Sequence, residues 1–329
     1  MRDSQNKKIL LSGLKPTGRP HIGNYFGMMK QMVDMQDEYE SFPFIPDYHA
    51  LTSVQSAEDM QNDIINVVID FLAIGLDPEK VNLFKQSDVP QVTELMWIFN
   101  CITTMPYLMR AHAFKDAEAK NKDINVGVFS YPILMAADIL IQDTDVVPVG
   151  KDQRQHVEMA RDIAEKFNRI FGETFKLPQS KILENVEVIP GTDGQKMSKS
   201  YGNIISLFAE DDEIEKAVMG IPTDSKGVEE SKNPEECNIF ALHKLFSSED
   251  EIGEIRKRYV EGGLGYKESK DILVKNIKNF ITPLREKRKE FADNKELVLK
   301  ILKKGGEVAS QRAEEKMEDV RKKIGVELS

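Results

Sequence analysis

Cysteine is nearly absent from this sequence of 329 residues. Cys101 and Cys237 stand far apart and outside any C-x-x-C pair. That excludes a disulfide framework and a cysteine-built zinc or iron–sulfur site, and leaves two thiols acting as small hydrophobes. Long apolar runs are also missing, and none approaches the roughly 20 residues that a bilayer span needs. Residues 1–8 pass straight into an apolar stretch without a signal-peptide core or an Arg/Ser-rich transit segment, so a cytoplasmic location is expected. Net positive charge is lacking too: the chain carries −10, which argues against nucleic-acid binding by the whole surface.

What is present suits a globular fold of one large or two smaller domains. Hydrophobic residues make up 40% and charged residues 30%, which does not point to disorder. Charge is unevenly spread. Residues 281–329 hold 13 Lys/Arg against 10 Asp/Glu, leaving +3 there and −13 on the remainder. Such a tail suits a local contact with RNA phosphates, and equally suits a solvated helix face.

Along the chain, strand and helix signals alternate. A short apolar run from Lys8 to Ser12 stops at Gly13, followed by the punctuated loop KPTGRP and apolar residues at helical spacing from Ile22 to Val33. Extended stretches are expected at 42–50, 81–84 and 145–149. Helices are expected from Ser56 to Gly75 and over 152–171. This is the pattern of a doubly wound parallel sheet, a Rossmann-like α/β domain. Mainly helical material over about 91–135 interrupts it as an insertion. Beyond residue 206 only helices are expected, at 213–219, 239–246, 249–261, 267–280 and 282–324. The expected division is therefore an α/β domain over 1–205 and an all-helical domain over 206–329.

Two motifs carry chemistry. The first, Pro16-Thr17-Gly18-Arg19-Pro20-His21-Ile22-Gly23-Asn24, lies between the first strand and the first helix. A helix N-terminus offers unpaired N–H groups to a phosphate, Gly23 permits close approach, and His21 and Asn24 supply donors. It is neither G-x-G-x-x-G nor a G-K-[ST] loop, and alone its His also reads as a cap. The second, Lys196-Met197-Ser198-Lys199-Ser200, sits in a Gly-flanked loop. Two lysines three apart can neutralise charge on a phosphoryl group and its pyrophosphate leaving group, although a lone K-x-x-K reads equally as a solvated loop.

Together, and in this order, H-I-G-N at 21–24 and K-M-S-K-S at 196–200 resemble the HIGH and KMSKS signatures of class I aminoacyl-tRNA synthetases. YPILMAADIL at 131–140, VPVGKDQRQH at 147–156 and Arg161-Asp162 look like the tryptophanyl branch of that class. The resemblance runs from about Leu11 to the C-terminus.

It implies tryptophan activation by ATP, transfer to tRNA(Trp) through a helical anticodon-binding domain, and a homodimer. Asp138 would accept the indole N–H, with Met135 one turn earlier against the ring and Tyr131, Gln153 and His49 completing the tryptophan site. From the residues themselves, a carboxylate three positions from Met135 on an apolar helix should be buried and should need donors. Lys15, Pro16, Thr17, Gly23, Asn24, Gly150, Lys151, Asp152, Val188 and the loop Lys196, Met197, Ser198, Lys199 and Ser200 would contact ATP. His21, Lys196 and Lys199 would be catalytic, and Mg²⁺ would accompany ATP. Lys15 and Lys151 stand where the family usually has Gln and Glu, and both changes add positive charge.

The nearest rival is a tyrosyl-tRNA synthetase. It usually has a Tyr where this chain has Leu11, which cannot bond a phenol hydroxyl. A small-molecule adenylyltransferase with HIGH-type motifs and a catalytically silent tRNA-binding paralogue are further alternatives. The long helical domain opposes the former, and the intact His21, Lys196 and Lys199 oppose the latter. Trp97, Ile98 and Met105 of the insertion are interface candidates that could equally be core.

Overall fold

The computed structural model describes residues 7–111, 114, 115, 118, 124–150, 154–182 and 189–328. Among them, five strands form one parallel sheet in the order β3-β2-β1-β4-β5. They are β1 (Ile9–Gly13), β2 (Glu40–Ile45), β3 (Phe84–Lys85), β4 (Val146–Val149) and β5 (Gln179–Ile182). Strand β1 pairs with β2 from Ile9–Glu40 to Gly13–Phe44, and with β4 at Leu10–Val146. This is a doubly wound order, in which the chain reverses between β1 and β4 and ligands bind beyond the carboxyl ends of the strands.

Local chemistry explains most boundaries. Ser56 caps helix Ala57–Ala73 by accepting from the Asp59 N–H, and Gly75 leaves it at a φ of 106°. The extended stretch expected over 42–50 ends earlier. Pro46 closes β2, and Asp47–Ala50 form a helical turn. Strand β5 has no apolar run, and none was expected there; Gln179-Ser180-Lys181 is polar because it forms the sheet edge. The helices expected over 267–280 and 282–324 are not divided at 281: one helix runs Tyr266–Asp293, with Pro283 inside it. The break comes at Asn294, whose side chain accepts from the Leu297 N–H and starts helix Lys295–Ile324.

The chain divides into two units, and none of the four boundaries falls at 205/206. The first unit comprises Met1–Gly18, Gln31–Asn185 and Asn294–Ser329. Its core joins one face of the sheet, carrying Ile9, Leu11, Phe42, Phe44, Val147 and Val149, to Ala309, Ala313, Met317 and Val320 of the last helix. The expected 206–329 domain thus loses its final helix to the sheet, because the buried stripe of that helix is apolar at helical spacing. The second unit comprises Arg19–Lys30 and Val186–Asp293. It is built around Ile22, Met197, Ile214, Leu242, Leu273 and Ile277. No helix among the described residues is long and apolar enough to cross a membrane.

Candidate active site

In the first unit the chemistry gathers on Asp138. Helix Val126–Ile141 starts at Asn125, whose side chain accepts from the Val128 N–H, and it carries Asp138 inward to 4% exposure. The sequence-based expectation of a buried carboxylate that needs donors is met by protein groups. Gln86 Nε2 donates to Oδ1 at 2.8 Å and Oδ2 at 2.9 Å, and His49 Nε2 lies 2.9 Å from Oδ2. Burial pushes the Asp138 carboxyl above its ordinary pKa, while the His49 and Gln86 bonds pull it back.

Around this carboxylate stand the other expected tryptophan residues. The rings of His49 and Tyr131 meet edge to face with centroids 5.9 Å apart, and Tyr131 Oη lies 3.1 Å from His156 Nε2. Met135 is half-buried against the core. Gln153 lies outside the described residues, as do Lys151, Asp152 and Val188 of the expected ATP set.

The loop after β1 is tied down within the same unit. Gly18 N–H donates to Asp63 Oδ2 at 3.0 Å, behind a buried Pro16 and an exposed Thr17. Lys15 Nζ donates to Thr52 Oγ1 at 3.0 Å, and that hydroxyl donates onward to the His49 carbonyl at 2.8 Å. Burial lowers the Lys15 pKa. Gly150 follows the end of β4, so both loops leave the carboxyl ends of the strands flanking the reversal.

The second unit holds both signature motifs. Asn24 Oδ1 accepts from the His21 N–H at 3.0 Å, and the His21 carbonyl accepts from the Asn24 N–H at 2.8 Å. Gly23 is required beside them: a Cβ there would lie 2.9 Å from the imidazole of His21. The His21 ring is buried, and its Nδ1 has no protein partner among the described residues. Burial, aided by the charge of Lys199, pushes its pKa down to about 4, so the ring is a neutral hydrogen-bonding group at pH 7.

The 196–200 loop is stapled by one residue. Asn203, itself buried, donates to Asp193 Oδ1 at 2.7 Å and the Lys196 carbonyl at 3.1 Å, and accepts from the Ser198 N–H at 2.8 Å. Met197 is buried in the core of the unit, while Lys196, Lys199 and Ser200 are exposed and Ser198 half-buried. Gln86 and Asn203 were not singled out from the sequence. Gln86 could have been, because it follows β3 directly at the ligand-binding end of a parallel sheet.

Among the described residues, no group of three His, Cys, Asp or Glu could hold a metal ion. A protein ligand set for Mg²⁺ is therefore not found among them. The cation would travel with nucleotide phosphates, as it commonly does.

A doubly wound sheet, a His-Ile-Gly-Asn helix start and a paired-lysine loop define a class. The family model of class I tRNA synthetases (W and Y) matches residues 3–282, and the chain belongs to that family. It is 48% identical to the tryptophan--tRNA ligase of Fusobacterium nucleatum, over 97% of this chain and 98% of that one. It is 45% identical to that of Rhodopirellula baltica, over 96% and 99%. The crystal structure of tryptophanyl-tRNA synthetase from Campylobacter jejuni complexed with ADP and tryptophan is similar with a TM-score of 0.91. That structure is 46% identical and covers 96% of this chain and 99% of its own. Within the class, the chain belongs to the tryptophanyl-tRNA synthetases.

Proposed function

We propose that this chain activates L-tryptophan with ATP and transfers it to tRNA(Trp). The observation that carries the reading is Asp138, a buried carboxylate already holding three donor contacts and able to accept one more. An indole N–H matches that demand. Leu11, buried in β1, offers nothing to a phenol hydroxyl, which disfavours tyrosine. The Campylobacter jejuni relative was crystallised with tryptophan and ADP, which supports ATP as the second substrate.

In this reading a carboxylate oxygen of tryptophan attacks the α-phosphorus of ATP in line. The new C–O–P anhydride bond forms as the bond from the α-phosphorus to the β-phosphate oxygen breaks, and pyrophosphate leaves with the electron pair. Lys196 and Lys199 neutralise the charge that grows on the leaving group. With its proton on Nδ1, the neutral His21 ring donates to a phosphate oxygen, the acceptor that atom otherwise lacks. The family resemblance assigns Lys15, Pro16, Thr17, Gly23, Asn24 and Gly150 to the nucleotide, and Tyr131, Met135 and His49 to the amino acid. The 2′-hydroxyl of the tRNA terminal ribose then attacks the adenylate carbonyl, loses its proton, and AMP departs.

A homodimer and a cytoplasmic location belong to the same reading. Trp97 and Met105 are 71% and 65% exposed on helices Gln91–Ile102 and Met105–Leu108, an apolar surface suited to a partner copy. Ile98 instead packs against the core of the first unit. Charging of tRNA(Trp) transcript with radiolabelled tryptophan tests the function. Efficient charging is expected, and charging of tRNA(Tyr) with tyrosine instead would overturn it.

A further inference from the structure

We infer that Gln86 is a positioning residue for indole recognition: its amide holds the Asp138 carboxylate so that one remaining acceptor position faces a ligand N–H. This deepens the tryptophan reading and rests on Asp138 being the indole acceptor.

The amide of Gln86 cannot turn over. Its Oε1 accepts from the backbone N–H of Tyr48 at 3.0 Å and of His49 at 3.3 Å, so Nε2 must face Asp138. The side chain is 1% exposed, leaving no water to compete. A carboxylate offers about four lone-pair positions. Gln86 occupies one on Oδ1 and one on Oδ2, and His49, with its proton on Nε2, occupies the second on Oδ2. The free position is therefore on Oδ1. Every contact made by Gln86 and His49 favours an ionised Asp138, against the burial that favours a protonated one.

The turn carrying Gln86 is itself braced. Asp47 Oδ1 accepts from the N–H of both Ser87 and Tyr48, which locks the 86–88 turn to the 47–49 turn. From behind, helix Lys295–Ile324 lies directly on the backbone. A Cβ on Gly305 would sit 1.9 Å from the Leu83 carbonyl oxygen, so only glycine permits this approach. Gln86 thus has a fixed backbone, a fixed amide orientation and one task.

Two variants test this by ATP–pyrophosphate exchange between pH 6 and 8.5. The substrates are tryptophan and its benzothiophene analogue, in which sulfur replaces the indole N–H. Gln86→Met fills the space without donors. It should raise the tryptophan KM by roughly ten- to a hundredfold, the worth of hydrogen bonds to a buried charge, with the ATP KM within about twofold. Its preference for tryptophan over the sulfur analogue should shrink.

Gln86→Glu keeps the shape and sets two carboxyls against each other. They share one proton at low pH and repel once it is lost, so the tryptophan KM should rise with pH, unlike that of the wild type. If Gln86→Met does not fold, the isosteric Gln86→Glu carries the test. A tryptophan KM unchanged and independent of pH in the variants that fold would overturn the inference, as would equal losses for tryptophan and the sulfur analogue. Asp138→Ala, run alongside, separates the two claims. If it keeps the preference for tryptophan, Asp138 is not the acceptor and the underlying reading fails. If it abolishes the preference while the Gln86 variants behave as wild type, only the positioning role fails.

Discussion

The backbone N–H of Gly23 donates to the sulfur of Met197 at 3.4 Å, joining the two signature motifs inside the second unit. Met197 is buried at that junction, with Lys196 before it and Lys199 two residues after it, both exposed. The methionine is the anchor of the loop, and the lysines are what the anchor presents.

The positive charge of Lys196 and Lys199 should matter most as charge moves onto pyrophosphate. Replacing either by Ala should slow adenylate formation by roughly 10²–10³-fold, comparable to losing one preorganised oxyanion donor. Single-turnover measurement at saturating ATP checks this. A loss seen only in the dependence on ATP concentration would make the loop a clamp without a transition-state role.

His243 should make stability depend on pH. Its ring is fully buried between the Ser247 hydroxyl, 2.7 Å from Nδ1, and the Ser269 carbonyl, 3.1 Å from Nε2. Burial pushes its pKa down from 6.5 to about 4, outweighing the Ser269 carbonyl and Glu251. A histidine that stays neutral when folded contributes nothing unfavourable above the unfolded pKa. As pH falls from 6.5 towards 4 the unfolded chain takes up the proton first, and stability declines by about 3 kcal/mol in total. Urea midpoints at pH 7 and pH 5 should differ more in the wild type than in His243→Gln. Equal differences would contradict the assignment.

The C-terminal helix carries a braced cation, Arg321, and exposed ones, Lys303 and Lys322. Arg321 donates to both oxygens of Glu94 and to Glu314, which also accepts from Gln91 Nε2. Arg321→Ala should lower stability by about 1 kcal/mol, since the pair is partly exposed, and leave the tRNA KM unchanged. Lys303→Glu together with Lys322→Glu should instead raise the tRNA KM and flatten its salt dependence, with pyrophosphate exchange unaffected. Equal falls in charging and exchange would assign this helix a structural role alone.

Trp97 and Met105 test the partner surface. In the proposed homodimer, Trp97→Glu with Met105→Glu should shift a dimeric wild type to a monomer in analytical ultracentrifugation at micromolar concentration. A monomeric wild type, or an unchanged profile in the double variant, would contradict the proposed surface.

Much of this was legible because the signals are local. Ser56 with Gly75 framed a helix, Lys8 to Ser12 a strand, and the spacing of Met135 and Asp138 predicted a buried carboxylate. What was hidden depends on distant partners. Strand β5 is polar because it lies at the edge of the sheet. The break at Asn294 lies inside the stretch expected as one helix over 282–324, because the cap is a single Asn side chain bonding the Leu297 N–H. The last helix reads as part of a separate helical domain, yet Gly305 seats it against Leu83 of the sheet unit. Gln86 carries no motif and acts through bonds to Tyr48, His49 and Asp138, which folding brings near, whereas Asn203 bonds within its own loop to Asp193, Lys196 and Ser198.

The most direct measurement is ATP–pyrophosphate exchange by the full chain with each amino acid in turn. The account predicts exchange with tryptophan, and with tyrosine and phenylalanine lower by about 10⁴-fold or more, because each would leave Asp138 without its N–H partner. Exchange of comparable rate with tyrosine, or none with any amino acid, would contradict it.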